Sequence, residues 1–374
     1  MSSRIIISGG GTGGHIFPAI SIAQALKKKD PGADILFVGA NGRMEMEKVP
    51  AAGFPIKGLP IAGLQRSFRP GAVLQNLALP FKLVHSILRA RRIIKDFAPD
   101  AAVGVGGYAS GPLLWAAGRL HIPYLIQEQN GFAGKTNKLL AKKAQKICVA
   151  YPHMERFFPA DRIVLTGNPI RSSMGRASDA LRLEACTFYN LNPQKKTILL
   201  TGGSLGSRTL NRCMVNYLQN TPKEEDVQFI WQCGKNGFDA AQRALDQHPC
   251  PHVKLHAFLM RMDLAYAVAD VVISRAGAGT ISELCSTGKA CIFVPSPNVA
   301  EDHQTHNARA IADQEAALMI TDSQAPDQLP RKAIELCRDG ALLAKLSSNI
   351  SKLSLPNAAD TIAQMVLQLA KNTK

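Results

Sequence analysis

The chain starts on a short apolar run, Arg4 to Ser8, which reads as a strand. Gly9-Gly10-Gly11-Thr12-Gly13-Gly14-His15 interrupts it. Apolar positions then return at helical spacing as Ile16, Ile20, Ile22, Ala23 and Leu26, until Lys27-Lys28-Lys29 and Pro31 end the pattern. Ile35 to Val38 predicts a second strand. Further short apolar runs at Ala101 to Val105, Tyr124 to Gln127, Lys146 to Val149 and Arg162 to Thr166 are separated by helical stretches. That alternation makes a parallel sheet, since a parallel neighbour has to be reached through a crossover.

The pattern pauses near Gly167-Asn168-Pro169-Ile170-Arg171 and, after a polar helix, begins again with Thr197 to Leu200 and Gly202-Gly203-Ser204-Leu205-Gly206-Ser207. Strand, glycine loop and helix thus occur twice, about 190 residues apart, which predicts two Rossmann-like halves rather than one continuous sheet. The second half continues with strands at Val227 to Trp231, Lys254 to Ala257, Val271 to Ser274, Ala290 to Val294 and Ala317 to Ile320, and helices close the chain.

Composition agrees with two globular domains: 374 residues, 46% hydrophobic and 19% charged. No run reaches the roughly 18 uncharged apolar residues of a membrane span, and no signal-peptide pattern precedes the first strand, so a cytosolic protein is expected. The eight cysteines show neither a C-x-x-C pair nor zinc spacing, which points to reduced, buried thiols. Charge adds something the pattern does not. Of the net +16, residues 1–172 hold 23 Lys and Arg against 9 Asp and Glu, whereas the rest is nearly balanced. A basic half suggests a polyanionic partner, either nucleic acid or an anionic lipid surface. No nucleic-acid recognition motif is present and few aromatics interleave with the basic residues, so no nucleic-acid partner is expected.

Gly9, Gly11 and Gly14 satisfy the dinucleotide fingerprint G-x-G-x-x-G, but the acidic residue that should end the second strand and grip a ribose is missing; Asp34 lies before that strand. The loop instead carries His15, either a general base or a helix-start residue bonded to its own loop. In the second half, Arg275-Ala276-Gly277-Ala278-Gly279-Thr280-Ile281-Ser282-Glu283 follows a buried strand and opens a helix. The amides of Ala278, Gly279 and Thr280 at that helix start form a socket for a diphosphate, and Glu283, one turn in, can hold ribose hydroxyls. The alternative is an ordinary strand-to-helix turn with a solvated glutamate. Ser204 can donate to a phosphate oxygen, and Glu301-Asp302-His303-Gln304-Thr305-His306-Asn307 suits the hydroxyls of a sugar, although a plain helix N-terminus looks similar.

Six collinear segments closely resemble the MurG family, the UDP-GlcNAc:lipid I N-acetylglucosaminyltransferases of peptidoglycan synthesis. They are Gly10 to His15, Gly106-Gly107-Tyr108-Ala109-Ser110-Gly111-Pro112, Glu128-Gln129-Asn130-Gly131, Gly167 to Arg171, Gly202-Gly203-Ser204 and Asp302-His303-Gln304-Thr305. The resemblance implies an α/β protein of GT-B type, two Rossmann-like domains with parallel sheets facing across a cleft. Residues 1–172 would bind acceptor and membrane, residues 173–353 would bind UDP-GlcNAc, and a C-terminal helix at 354–374 would pack back toward the first domain. It further implies that Ser204 and Arg171 contact the nucleotide diphosphate and the backbone near Leu259 the uracil. Ala278, Gly279 and Thr280 would cradle the diphosphate, Glu283 the ribose, and Gln304 with Asn130 the GlcNAc hydroxyls. Thr12, Gly13 and Gly14 would lie near the acceptor's pyrophosphate. Three positions depart from the family pattern: Gln127 replaces a frequent His, Phe258-Leu259-Met260-Arg261-Met262 a commonly acidic segment, and Gly279 a frequent Leu.

The implied reaction inverts C1 of GlcNAc as the C4 hydroxyl of the N-acetylmuramoyl unit attacks. His15 is the base, with Glu128 the next candidate. No cofactor or metal is expected, because no Asp-x-Asp stands at a strand end. Expected partners are UDP-GlcNAc, undecaprenyl-linked lipid I, an anionic phospholipid surface and other cell-wall synthesis proteins, at the cytoplasmic face of a bacterial inner membrane. For the membrane, Leu77, Phe81, Val84 and Leu88 fall on one helical stripe beside Arg89, Arg91 and Arg92; the alternative is a stripe facing the core. Related rivals are a diacylglycerol glycosyltransferase and a UDP-GlcNAc 2-epimerase.

Overall fold

The three isoleucines of the first strand set the architecture of the first half. Ile5 and Ile7 point into one apolar layer with Ile16, Ile22, Leu26 and Val366, while Ile6 points into another with Ile93, Leu113 and Ile126. All three are fully buried, as a strand covered on both faces requires. The computed structural model describes residues 2–61, 79–171, 173–220, 226–299 and 302–372. Leu77 and Glu301 of the readings above lie outside them.

The chain divides into two compact units, residues 1–171 with 355–374, and residues 172–354. The first holds β1 (Arg4–Ser8), β2 (Asp34–Ala40), β3 (Ile56–Leu59), β4 (Ala101–Gly104), β5 (Tyr124–Glu128), β6 (Lys146–Val149) and β7 (Ile163–Leu165). All pairs are parallel, in the order β3-β2-β1-β4-β5-β6-β7. The helix Ala358–Lys371 lies on the helix Gly13–Lys29, with Ile362, Ala363 and Val366 buried among its residues. Strand β3 is one element the apolar pattern did not announce.

The second unit repeats the plan with β8 (Lys196–Thr201), β9 (Val227–Gln232), β10 (Val253–His256), β11 (Val271–Ser274), β12 (Ala290–Phe293) and β13 (Leu318–Met319), again all parallel, ordered β10-β9-β8-β11-β12-β13. In both sheets the first strand in the sequence is internal and the order reverses beside it, between β1 and β4 and between β8 and β11. Crossover loops diverge at such a switch point and leave a crevice at the carboxyl ends of the strands, where α/β sheets take their ligands.

All eight cysteines are buried and unpaired by disulfides. Burial pushes the thiols of Cys148, Cys213, Cys285 and Cys337 up to about 12. At pH 8 such a thiol is ionised about one part in ten thousand, and only the thiolate reacts. A thiol-disulfide reagent at pH 8 is therefore expected to label none of the four in the native protein and all eight cysteines after unfolding. Rapid native labelling at any of the four would contradict their placement.

Candidate functional site

In the first unit, two glycine loops meet over the switch point. Gly9 to Thr12 leaves β1, and Val105 to Ala109 leaves β4, whose Gly104 pairs with Ser8. Gly107, at φ +86°, approaches so closely that an added Cβ would stand 2.2 Å from the Gly10 carbonyl oxygen. Gly106, at φ +92°, leaves room for the His15 ring: a Cβ there would lie 2.9 Å from Nε2. Ser110 Oγ braces both loops, donating to the carbonyls of Ser8 (3.0 Å) and Gly106 (2.8 Å).

Thr12 is the N-cap of the helix Gly13–Lys29, and its carbonyl accepts from the amides of His15 and Ile16. Its hydroxyl sits 3.3 Å from His15 Nδ1. The half-buried His15 ring is thus held between Thr12 and Gly106, and Gly13 and Gly14 form the first turn, where helix amides point outward. The structure brings Thr12, Gly13, Gly14 and His15 into one place.

Glu128 and Asn130 follow β5. The Glu128 carboxylate is 2% exposed and saturated with donors. Oε1 accepts from the backbone amide (3.1 Å) and side-chain amide (3.4 Å) of Asn130; Oε2 accepts from the Gly134 amide (3.0 Å) and Asn137 Nδ2 (2.9 Å). A carboxylate so engaged shapes the loop 129–134. Beside it, Gln127 Nε2 donates to Asn168 Oδ1 (3.0 Å), Asn168 Nδ2 to the Gln129 carbonyl (3.1 Å), and Gln129 Nε2 to Gln127 Oε1 and the Val105 carbonyl (2.7 Å). Gln127 uses both halves of its amide here, donating through Nε2 and accepting through Oε1. Arg171, where the chain leaves the first unit, lays its guanidinium 5.0 Å from the centre of the Phe17 ring.

In the second unit the loop after β8 and the loop after β11 flank the switch point. Gly203 takes φ +79°, its amide donates to Thr201 Oγ1 (3.2 Å) and its carbonyl accepts from Gln232 Nε2 (3.0 Å), which leaves Ser204 exposed at the loop tip. Gly277 caps the helix Ala278–Thr287, so the amides of Ala278, Gly279 and Thr280 belong to its first turn. Glu283 is held by the Tyr266 hydroxyl at 3.0 Å. Gln304 Oε1 accepts from the Ser296 amide (2.9 Å) and Asn307 Nδ2 donates to the Ala276 carbonyl (3.4 Å), tying the helix His303–Ala312 to the loops after β11 and β12. Leu259 is buried between β10 and the helix Met262–Val268.

Sequence reasoning missed several residues that shape these loops. Glu45, on the helix Glu45–Ala51, binds the Gly11 amide; Tyr266 orients Glu283; Gln232 braces Gly203; and Arg275 forms a partly buried ion pair with Asp322. For Glu45 a signal existed, an acidic residue shortly after the second strand.

The helix Leu79–Phe97 is divided along its length. Ala90, Ile93 and Ile94 are buried in the first unit, while Phe81 (80%), Val84 (58%) and Leu88 (59%) are exposed, with Leu83, Arg89, Arg91 and Arg92 exposed as well. Among the described residues no helix is long and apolar enough to cross a membrane, and no cluster of three His, Cys, Asp or Glu could hold a metal ion.

Residues 5–149 match the glycosyltransferase family 28 N-terminal domain and residues 197–362 the glycosyltransferase family 28 C-terminal domain. The UDP-N-acetylglucosamine–N-acetylmuramyl-(pentapeptide) pyrophosphoryl-undecaprenol N-acetylglucosamine transferase of Phocaeicola vulgatus is 56% identical over 98% of this chain and 96% of its own length. The protein of the same name from Parabacteroides distasonis is 53% identical over 98% of each. Among solved structures, MurG from Acinetobacter baumannii superposes with a TM-score of 0.75 at 30% identity, covering 98% of this chain and 99% of that one. With two family 28 domains, each a parallel Rossmann-like sheet, the fold class is GT-B. The chain belongs to glycosyltransferase family 28, within its UDP-N-acetylglucosamine–N-acetylmuramyl-(pentapeptide) pyrophosphoryl-undecaprenol N-acetylglucosamine transferases.

Proposed function

We propose that the chain transfers N-acetylglucosamine from UDP-GlcNAc to the C4 hydroxyl of the N-acetylmuramoyl unit of undecaprenyl-linked lipid I, giving lipid II with inversion at C1. The observation that carries this reading is 56% identity, end to end, with a transferase whose name states that donor and that acceptor. Incubating the protein with radiolabelled UDP-GlcNAc and synthetic lipid I tests it. Label in a disaccharide lipid is expected; epimerised or hydrolysed donor without lipid product would overturn it.

In this reading the second unit holds the donor. The first-turn amides of Ala278, Gly279 and Thr280 with Ser204 take the diphosphate, Glu283 the ribose, Leu259 the uracil through its backbone, and Gln304 the sugar. Arg171 is assigned to the nucleotide diphosphate and Asn130 to the GlcNAc hydroxyls. As the C1–O bond breaks, charge gathers on the departing UDP, and fixed amides at a helix N-terminus stabilise it without reorganising. Transfer is therefore expected to persist in EDTA; activity lost in EDTA and restored by Mg²⁺ would sink this account of the leaving group. The first unit holds the acceptor, with Gly13 and Gly14 at its pyrophosphate and His15 removing the proton from the C4 hydroxyl.

The acceptor carries a lipid tail, which supports a peripheral site at the cytoplasmic face of the bacterial inner membrane. Phe81, Val84 and Leu88 give an exposed apolar stripe flanked by Arg89, Arg91 and Arg92, the composition of an interfacial helix. Each basic residue near an anionic surface contributes about 1 kcal/mol, so reversing all three to Glu is expected to weaken binding to anionic vesicles at least about a hundredfold. Co-sedimentation with phosphatidylglycerol vesicles measures it, and unchanged binding would remove this face from the reading.

A further inference from the structure

The glycine loop of the first unit is anchored from below by a carboxylate that the reaction does not use. Glu45 is 0% exposed. Its Oε2 accepts from the Gly11 amide at 2.9 Å and its Oε1 from the Ala40 amide, at the end of β2, at 3.0 Å. Among the described residues no Lys, Arg or His forms an ion pair with it, so its charge is offset by hydrogen bonds from the backbone. A buried carboxylate without a counter-ion costs several kcal/mol unless it is well bonded.

The backbone also makes room for it. A Cβ on Gly10 would stand 2.2 Å from Glu45 Oε1, and one on Gly39 would stand 2.5 Å from its Cγ. Two positions, one in the glycine loop and one inside β2, are therefore crowded by this one side chain. What the arrangement fixes is Gly11, at φ +87°, the residue directly before the N-cap Thr12. It also occupies the amide that the dinucleotide fingerprint would turn toward a pyrophosphate, which leaves anion binding to the first turn at Gly13 and Gly14.

We propose that Glu45 is the positioning residue of the acceptor loop. By holding the Gly11 amide it sets the direction in which the Gly13 and Gly14 amides and the His15 ring face the acceptor. Glu45 touches no substrate and acts through Gly11 alone. The inference rests on the reading of the first unit as the acceptor side.

Glu45→Gln in the full-length protein tests it. The glutamine keeps the volume and can accept from one of the two amides, but it turns an N–H against the other, so Gly11 has to move. A displacement of about 1 Å in a reacting group costs on the order of a hundredfold, and kcat/KM for lipid I is expected to fall by about that factor. KM for UDP-GlcNAc and calorimetric UDP affinity are expected to stay within about twofold of the parent. A purely structural Glu45 would lower the unfolding temperature and leave the ratio of acceptor to donor efficiency unchanged at lower temperature; that result overturns the proposal, as does an equal loss toward both substrates. Should Glu45→Gln fail to fold, Glu45→Asp keeps the charge at a shorter reach and is expected to show the same split, smaller. If neither variant folds, Glu45 is a determinant of the fold and the positioning role falls. Parent protein that transfers no sugar to lipid I would refute the functional reading itself, whereas an active parent with an unaffected variant refutes only this inference.

Discussion

Replacing His15 by alanine is expected to lower kcat for transfer about 10²–10⁴-fold while leaving UDP-GlcNAc binding intact, the contribution of a positioned base to proton removal. A sugar hydroxyl is a weak nucleophile, and His15 stands at the switch point of the unit assigned to the acceptor. Its ring is fixed rather than free to drift, with Nδ1 beside the Thr12 hydroxyl and its edge against Gly106. Donor binding should survive, because Ala278, Gly279, Thr280 and Glu283 all belong to the other unit. Steady-state kinetics with lipid I, beside calorimetry with UDP-GlcNAc, give the two readouts, and near-parental turnover removes His15 as the base. Glu128 is a poor substitute for that role. Its two carboxylate oxygens already accept four hydrogen bonds from the protein, and the residue is buried.

Much of this is legible in the chain because buried parallel strands are short apolar runs and several are followed by glycines. β1 and β8 announce the two sheets in that way, and glycines mark the loops that follow them. β3 is not announced, since Ile56-Lys57-Gly58-Leu59 is an edge strand of four residues with a lysine and a glycine at its centre, and only pairing with β2 extends it. The missing acidic residue of the fingerprint shows a different limit. A carboxylate does arrive near the end of β2, but from the following helix and beneath the glycine loop, and spacing does not reveal on which side of a loop a side chain emerges. Tyr266 reaches Glu283 from another helix, so no local pattern marks it. Periodicity alone left two fates for the stripe at Phe81, Val84 and Leu88. The same helix buries Ala90, Ile93 and Ile94, and one regular pattern thus served two environments.

Arg275→Ala is expected to cost about 3 kcal/mol of stability and to raise KM for UDP-GlcNAc without changing KM for lipid I. Arg275 directly follows β11, immediately before the helix start proposed as the diphosphate socket, and its guanidinium has a partner in each direction. One nitrogen donates to the carbonyls of Val294 (3.0 Å) and Pro295 (3.1 Å) and to Asp322 Oδ1 (2.5 Å), the other to Ser207 Oγ (2.7 Å). Asp322 in turn accepts from Thr209 Oγ1 at 3.0 Å. One planar fork thus ties the loops after β8, β11, β12 and β13 together, and two of them, after β8 and β11, are the loops we assign to the donor. Alanine would leave Asp322 without its cation and two carbonyls without a donor, and such a broken pair is costlier than one never made. Lysine should rescue little, since an ammonium cannot bridge four acceptors spread around a plane. Urea unfolding measures the first effect and steady-state kinetics the second. If Arg275→Ala unfolds at the parental midpoint with parental donor KM, the fork does not hold the socket, and the two donor loops owe their geometry to the glycines and Gln232 alone.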